Sequence, residues 1–331
     1  MLKFRSNFMK AIMVNEFGLE APMSIEDVST PTPGDSEVLV KIEAIGVNPL
    51  EIAIRTGDHP RAAQVKFPYI CGSDLSGIVE SIGKNVEDFK PGDRVWGRCQ
   101  GAYAEYAVLS SPLLGKLPDD YTFSEGASLA IPLLTAWNAL VLKGEAKPGD
   151  IVLVQGGAGG VGHLAIQLAC MLGCRVFATV SSKEKSDFCL QLGADATINY
   201  RLENVVERVS ELTKGQGVDI VVETAACDNL KDDLELYGLN GRIVMVGTGT
   251  GKDFPVEISI RAASKKDVRI YGVSSGNLTP YLPEAMARIS SVLLSGKIRP
   301  HIGKEMKLEE SNDSHELVLS GKFLGKVVLL P

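Results

Sequence analysis

Residues 149–170 read GDIVLVQGGAGGVGHLAIQLAC. The apolar run Ile151–Val154 has strand character, breaks into glycines and passes at once into a helical pattern. Gly157, Gly159 and Gly162 fit G-x-G-x-x-G, and Gly160 adds a fourth glycine. In such a turn the first glycine leaves the strand tightly, the second lets backbone approach a pyrophosphate, and the third lets the helix pack on the sheet. The helix N-terminus then presents unpaired N–H groups to the phosphates. With 34 glycines in 331 residues, the pattern alone decides little. Its place between a strand and a helix makes it a dinucleotide-binding turn rather than a glycine turn that merely packs.

The same rhythm continues outward. Strand-like runs at Arg175–Val180, Ala196–Ile198, Asp219–Val222, Arg242–Val246 and Val268–Tyr271 alternate with helical stretches. The helices are expected near Gly160–Leu172, Lys183–Leu192, Glu203–Leu212 and Asn229–Tyr237. Strand–helix alternation implies a doubly wound parallel sheet with helices on both faces and the ligand at the carboxyl ends of the strands. Before it, residues 37–47 (EVLVKIEAIGV) alternate as a strand, and Lys10–Val14, Gly77–Ile82, Arg94–Trp96 and Glu105–Leu109 are further strand candidates. Proline and glycine punctuate them at PTPGD, KPGD and LPDD. After Gly272 come a helix (Tyr281–Leu294) and a final strand (Gly325–Leu330). Those sixty residues are too few for a third domain and are expected to complete the first. The expected division is 1–131 with 272–331 as a β-rich domain, and 132–271 as the dinucleotide domain.

A net charge of −7 opposes nucleic-acid binding. No apolar stretch reaches the roughly 18–20 residues of a membrane span. The first eight residues, MLKFRSNF, are too short and too polar for a secretory signal, and read as a disordered extension or an alternative start before Met9. Cys71, Cys99, Cys170, Cys174, Cys189 and Cys227 are scattered, which suggests buried free thiols in a reducing cytoplasm. The i, i+4 pair Cys170 and Cys174 need not share a face, because the helix is expected to end at Gly173.

The second strand of the dinucleotide domain ends Thr179-Val180-Ser181-Ser182-Lys183-Glu184-Lys185. An NAD-binding version places a carboxylate there for the ribose 2′-hydroxyl. Here Ser181 or Ser182 stands in its place and two lysines follow, a set suited to a 2′-phosphate. NADPH is therefore the expected cofactor. Lys183 and Lys185 as solvated helix-start lysines are the plainer alternative, and Glu184 is expected to point elsewhere.

GDxxL-xxx-GAGGVGxxxxQ, from Gly149 to Gln167, resembles the signature of the zinc-independent, zeta-crystallin-type quinone oxidoreductases of the medium-chain dehydrogenase/reductase superfamily. The resemblance extends through MKAIMVNEFG (Met9–Gly18), GVNPLEIAIRTG (Gly46–Gly57), FPYICGSDLSGIVESIG (Phe67–Gly83), PGDRVWG (Pro91–Gly97), IPLLTAWNAL (Ile131–Leu140) and SGKFLGKVVL (Ser320–Leu329). Cys170 departs from it, where a polar or basic residue is usual. It implies a GroES-like catalytic domain plus a Rossmann domain, and a homodimer or homotetramer commonly paired near Val268–Tyr271. It implies pyrophosphate contacts at Gly159, Gly160, Val161 and Gly162, and adenosine-phosphate contacts at Ser181, Lys185 and Tyr200. Asn229, Val246, Gly247, Thr248, Tyr271 and Gly272 fall where such enzymes hold the adenosine and nicotinamide halves. Turn capping is the plainer, less favoured alternative for Tyr200 and Asn229.

Zinc alcohol dehydrogenases of this superfamily have a cysteine where Asn48 stands, a His-Glu pair where Ser73-Asp74 stand, and a four-cysteine cluster absent here. Asparagine and serine are poor zinc ligands, so no metal is expected. Without a Lewis acid, the expected acceptor is already electrophilic: a quinone, or an enone, enal or 2-enoyl thioester whose charge spreads over an enolate. A non-catalytic NADPH-binding protein is the remaining alternative. Asn48 is the leading candidate for a catalytic pocket residue, donating to the acceptor oxygen or orienting the nicotinamide ribose, against a turn-forming Asn before Pro49. Thr135 suits the nicotinamide or a helix cap equally. Arg55 is either a pocket cation or an ordinary surface charge, and the surface charge is the favoured reading. Many relatives carry a tyrosine in the nicotinamide pocket at the position of Ala53, which leaves the proton donor open, with Tyr69 or Tyr103 as possible compensation.

Overall fold

The structure, a computed structural model, describes residues 7–249, 254–274 and 276–331. They divide into two compact units: Met1–Ile131 with Tyr281–Ser295 and Pro300–Pro331, and Pro132–Pro280 with Gly296–Arg299.

The first unit begins with β1 (Phe8–Val14), β2 (Ser24–Ser29), β3 (Glu37–Val47), α1 (Pro49–Thr56), β4 (Tyr69–Ile70) and β5 (Asp74–Ile82). β6 (Arg94–Arg98), β7 (Tyr106–Ser110), β8 (Leu114–Lys116) and α2 (Phe123–Ala127) follow. Phe8 opens β1, and the Asn7 carbonyl accepts from the Thr30 N–H at 3.0 Å, so residues 7 and 8 belong to the fold rather than to a separate extension. Residues 1–6 lie outside the described residues. β3 has the bounds its alternation indicates, and Val38, Val40 and Ile42 point into a core with Leu75, Val79 and Val95. β2 shows no such signal because all six of its residues are polar or partly exposed.

α3 (Ala130–Trp137) contains the boundary between the units. The second unit then runs β9 (Ile151–Val154), α4 (Gly162–Met171), β10 (Arg175–Val180), α5 (Lys183–Gln191), β11 (Ala196–Asn199), α6 (Val205–Leu212) and β12 (Val218–Glu223). It continues with α7 (Ala226–Asp233), β13 (Tyr237–Met245), α8 (Ile260–Lys265) and β14 (Arg269–Gly272). Its six strands lie in the order β11-β10-β9-β12-β13-β14, all parallel. That is the doubly wound Rossmann order, with its switch point between β9 and β12. The helix expected over Asn229–Tyr237 ends instead at Asp233. A turn follows, in which the Glu235 and Leu236 N–H groups bond the Asp232 and Asp233 carbonyls while Leu234 and Leu236 are buried, and the chain then enters β13 at Tyr237.

The chain returns to the first unit through α9 (Leu282–Leu294), β15 (Ile302–Lys307), α10 (Ser311–Ser320) and β16 (Lys326–Leu330). β16 pairs antiparallel with β3, bringing Val327 opposite Val47. β15 and β16 thereby extend the sheet of β3, β5, β6, β7 and β8, while β1, β2 and β4 form a separate three-stranded sheet.

Candidate active site

In the second unit, residues expected at the cofactor gather along the carboxyl ends of the parallel strands. Gly156 leaves β9 with φ +66°, so it makes the tight turn that the sequence pattern assigns to Gly157. A Cβ on Gly157 would lie 2.6 Å from the Ala178 Cβ, so this glycine is required by packing against β10. A Cβ on Gly162 would lie 2.3 Å from the Gly156 carbonyl oxygen, which lets α4 start against the turn. A Cβ on Gly159 would meet only the Gly156 oxygen, at 3.4 Å. Gly159, Gly160 and Val161 are half-exposed at the start of α4. This open backbone cradle, which a side chain would fill, fits a pyrophosphate.

Beside it, β10 ends at Val180 and Ser182 caps α5, its hydroxyl oxygen accepting from the Lys185 N–H at 3.2 Å. Lys183 is paired with Asp187. Glu184 is exposed on α5. Ser181 and Lys185 are half-buried, and Tyr200, half-exposed, follows β11 with its N–H bonded to the Val180 carbonyl at 3.1 Å. Ser181, Ser182 and Tyr200 thus follow the ends of two adjacent strands, and Lys185 stands in the first turn of α5. Across the switch point, the Ala226 N–H donates to Gly247 at 3.0 Å and the Val246 N–H to Glu223 at 2.8 Å, while Thr248 bridges Ala225. The Asn229 amide donates to both Glu223 carboxylate oxygens at 3.3 Å. Tyr271 and Gly272 close the row on β14. Thr135 lies inside α3, not at an end, so it caps nothing.

The first unit holds a buried polar cluster around Asn48, which is 2% exposed and begins α1. The Lys326 ammonium donates to Asn48 Oδ1 and to the Val47 carbonyl, each at 2.6 Å. An ammonium only donates, so the carboxamide oxygen must face it. Asn48 Nδ2 then donates to Asp74 at 3.1 Å, and the Asn48 N–H donates to Glu51 at 2.6 Å. Asp74 also accepts from the Ile131 N–H at 3.0 Å. Burial, followed by repulsion from Asp74, pushes the Glu51 carboxyl up to about 8; burial raises Asp74 to about 6. At neutral pH Glu51 is therefore a neutral acid, and Asp74 is the anion opposite the Lys326 cation.

Arg55 is a correction. It is 2% exposed rather than a surface charge. Its guanidinium donates to the carbonyls of Leu19 (3.3 Å) and Ala21 (2.8 Å), to Asn312 Oδ1 (3.1 Å) and to His315 Nδ1 (3.2 Å). That last bond places the His315 proton on Nε2, which donates to the Tyr103 hydroxyl at 3.2 Å, and Tyr103 points on to Glu51 at 3.5 Å. Burial and Arg55 depress His315 to about 3, so it stays neutral. The Tyr69 hydroxyl is buried without a bonding partner, and burial raises it. Cys71, Cys99, Cys174 and Cys189 are buried free thiols, but Cys170 and Cys227 are only half-buried.

Comparison with known proteins fixes the family. Residues 34–119 match the alcohol dehydrogenase GroES-like domain, and residues 160–291 match the zinc-binding dehydrogenase family. The chain is 36% identical to human (Homo sapiens) quinone oxidoreductase over 97% of this chain and 98% of that one. The mouse (Mus musculus) quinone oxidoreductase is 38% identical over the same shares. The chain belongs to the quinone oxidoreductase family of medium-chain dehydrogenases/reductases. A solved family structure, Escherichia coli quinone oxidoreductase complexed with NADPH, is 29% identical with a TM-score of 0.88 and covers 97% of this chain and 100% of its own.

One matching family model carries zinc in its name, and this quinone oxidoreductase relative does not fit that metal. Asn48 Oδ1 is engaged by a cation, and both Asp74 oxygens accept N–H donors. Among the described residues, no three His, Cys, Asp or Glu side chains form a metal-holding group. Lys326, Glu51, Asp233 and Glu223 escape sequence reasoning. Lys326 sits inside the quoted GKVVL segment, but only the β16–β3 pairing reveals that it faces Asn48.

Proposed function

We propose that this chain is an NADPH-dependent reductase of quinones, acting without a metal. The open cradle at Gly159–Gly162, adjoining Ser181, Ser182, Lys185 and Tyr200, carries the cofactor reading. A carboxylate at the end of β10 would repel a 2′-phosphate, and serines stand there instead. Gly157 shapes the turn, while Asn229, Val246, Gly247, Thr248, Tyr271, Gly272 and Thr135 line the remaining cofactor path in this reading. When bound, NADPH supplies the hydride.

The chain's own part is binding, orientation and charge control. The N-terminus of α4 holds the pyrophosphate through backbone N–H groups. Lys326 fixes the direction of the Asn48 carboxamide, and Asp74 holds its amide. In this reading Asn48, 2% exposed and with both ends of its carboxamide engaged, orders its own cluster rather than donating to the acceptor oxygen. Glu51 keeps its proton at neutral pH, so the cluster carries one cation and one anion and adds no net charge to the site. An electrophilic acceptor needs no further Lewis acid. Ala53 is half-buried and small, which favours bulky planar acceptors and also admits enones and 2-enoyl thioesters.

The pairing surface in this reading is the β14 edge, where Ile270 is 37% exposed, and the assembly is a homodimer or homotetramer. Among the described residues no helix is long and apolar enough to cross a membrane, and the net charge is negative, in keeping with a cytoplasmic enzyme of small molecules. The test is NADPH oxidation with 1,2-naphthoquinone, 9,10-phenanthrenequinone, an alkenal and a crotonyl thioester. Turnover with the quinones supports the proposal. Turnover with the alkene substrates alone replaces it, and tight NADPH binding with no turnover makes the chain a binding protein.

A further inference from the structure

Beneath the glycine turn lies a pair of acids that cofactor contact alone does not explain. Glu223 ends β12 and Asp233 ends α7, and both are 0% exposed. Their carboxyl groups are in hydrogen-bonding contact, and burial followed by their mutual repulsion raises Asp233 well above the carboxylate range; burial also raises Glu223. Two carboxylates in contact inside a protein do not both ionise, so one proton is shared. The geometry shows where it sits. Glu223 Oε1 accepts from the Ala225 N–H and the Asn229 amide, as an anion does. Asp233 Oδ1 accepts from Gln155 Nε2 at 2.8 Å, while Asp233 Oδ2 is buried with no N–H or O–H donor. Oδ2 is therefore the atom that holds the proton and donates it to Glu223.

From Asp233 a single file of hydrogen bonds leads to the nucleotide cradle. Gln155 gives its amide to Asp233, so its Oε1 is free to accept from Thr179 Oγ1 at 2.7 Å. Thr179 Oγ1 in turn accepts from the Gly156 N–H at 3.0 Å. Gly156 is the residue with φ +66° that turns the chain toward Gly159. The Thr224 hydroxyl, next to Glu223, holds the other side of the turn through the Gln155 carbonyl at 3.0 Å. The file has one direction, because the Gly156 N–H can only donate to Thr179, whose hydroxyl then donates to Gln155 Oε1 and leaves the Gln155 amide for Asp233 Oδ1; the proton on Oδ2 keeps Asp233 in place beside Glu223 to receive it.

We propose that Asp233 is a positioning residue for the dinucleotide turn, and that the proton it shares with Glu223 holds Gln155, Thr179 and Gly156 in the nucleotide-binding arrangement. Loss of that proton puts two anions in contact and loosens the turn, so affinity for NADPH falls at alkaline pH. The charged groups bearing on the pair do not offset this: Asp228 acts on Glu223 and Asp232 acts on Asp233, both from α7, and the Tyr237 phenol faces them from β13.

The inference rests on the NADPH reading, and its test separates the two. NADPH dissociation constants are measured by fluorescence between about pH 7 and 10, above the titration of a phosphate's second proton near 6. For the unaltered protein the constant is expected to rise by up to about tenfold per pH unit once the shared proton is lost. Asp233→Asn carries a permanent N–H donor for Glu223 and an oxygen for Gln155, so its constant at pH 7 should stay within about threefold of the unaltered protein and its alkaline rise should vanish. Asp233→Leu should bind weakly throughout. An alkaline rise unchanged in Asp233→Asn overturns the inference, whereas absence of any NADPH binding by the unaltered protein overturns the cofactor reading instead. If Asp233→Asn does not fold, infrared spectra of Glu51→Gln, which removes the other buried neutral acid, decide: a buried protonated carboxyl band at neutral pH that disappears on alkaline titration supports the pair, and its absence overturns it.

Discussion

Lys326 Nζ lies 2.6 Å from Asn48 Oδ1 with both side chains 2% exposed, and this contact joins the last strand of the chain to the first turn of α1. The ammonium bonds Asn48 and faces Asp74, two positions where zinc dehydrogenases of the superfamily carry a cysteine and the glutamate of a His-Glu pair. A resident cation thus belongs to the polypeptide itself.

Replacing that cation tests its weight. Lys326→Met leaves Asp74 buried without a counter-charge, and breaking one side of a buried pair costs about 3–5 kcal/mol. Urea unfolding at pH 7 should show that loss. Adding Asp74→Asn to Lys326→Met should recover part of it, since no uncompensated charge then remains. If the double variant is less stable than Lys326→Met alone, the ion pair is not what holds the cluster.

Two glycines of the turn should respond differently to the same methyl group. In Gly162→Ala the new Cβ would press on the Gly156 oxygen at 2.3 Å, so both the melting temperature and NADPH affinity should fall. In Gly159→Ala the nearest atom is 3.4 Å away, so melting should be unchanged while the group projects into the cradle. An NADPH dissociation constant raised by about tenfold, ~1.4 kcal/mol, is the expected result.

The contrast between these glycines also marks what was legible in the sequence. Spacing alone identified the fingerprint and, with the strand–helix alternation, the Rossmann sheet, because a glycine pattern and apolar periodicity are local. It misassigned the positive-φ turn to Gly157, since Gly156 lies outside the motif's counting. Arg55 looked like a surface charge because its partners, Asn312 and His315, are more than 250 residues away. Lys326 and Asp233 were hidden for the same reason: a charged residue is read as exposed until a distant strand or helix covers it.

Cofactor preference turns on the end of β10. Ser181→Asp restores the carboxylate typical of NAD-binding sheets. At an effective dielectric near 20, two negative charges about 4 Å apart repel by up to about 4 kcal/mol, so NADPH affinity should fall at least about tenfold. NADH affinity should hold or improve. Ser182 is left in place because its hydroxyl oxygen caps α5. Equal losses for both nucleotides would show that Ser181 does not face the 2′-phosphate.

Glu51 gives a pH dependence whose sign follows from its raised value. An unfolded glutamate titrates near 4.5, whereas the folded group titrates near 8. The folded state therefore holds a proton that the unfolded state releases, and that contribution is complete below about 4.5 and lost as pH rises through about 8. Asp74 acts in the same direction over a lower window, from near 3.8 to about 6. Glu51→Gln keeps an oxygen for the Asn48 N–H and cannot ionise, so the drop in melting temperature between pH 6 and 9 should shrink. Part of the drop should persist, because the carboxyls of the Glu223–Asp233 pair are raised as well and lose a stabilising proton as pH rises. A Glu51→Gln variant whose melting temperature falls as steeply as the parent's would mean that Glu51 is already ionised at neutral pH, leaving the Lys326 cation shared between two anions.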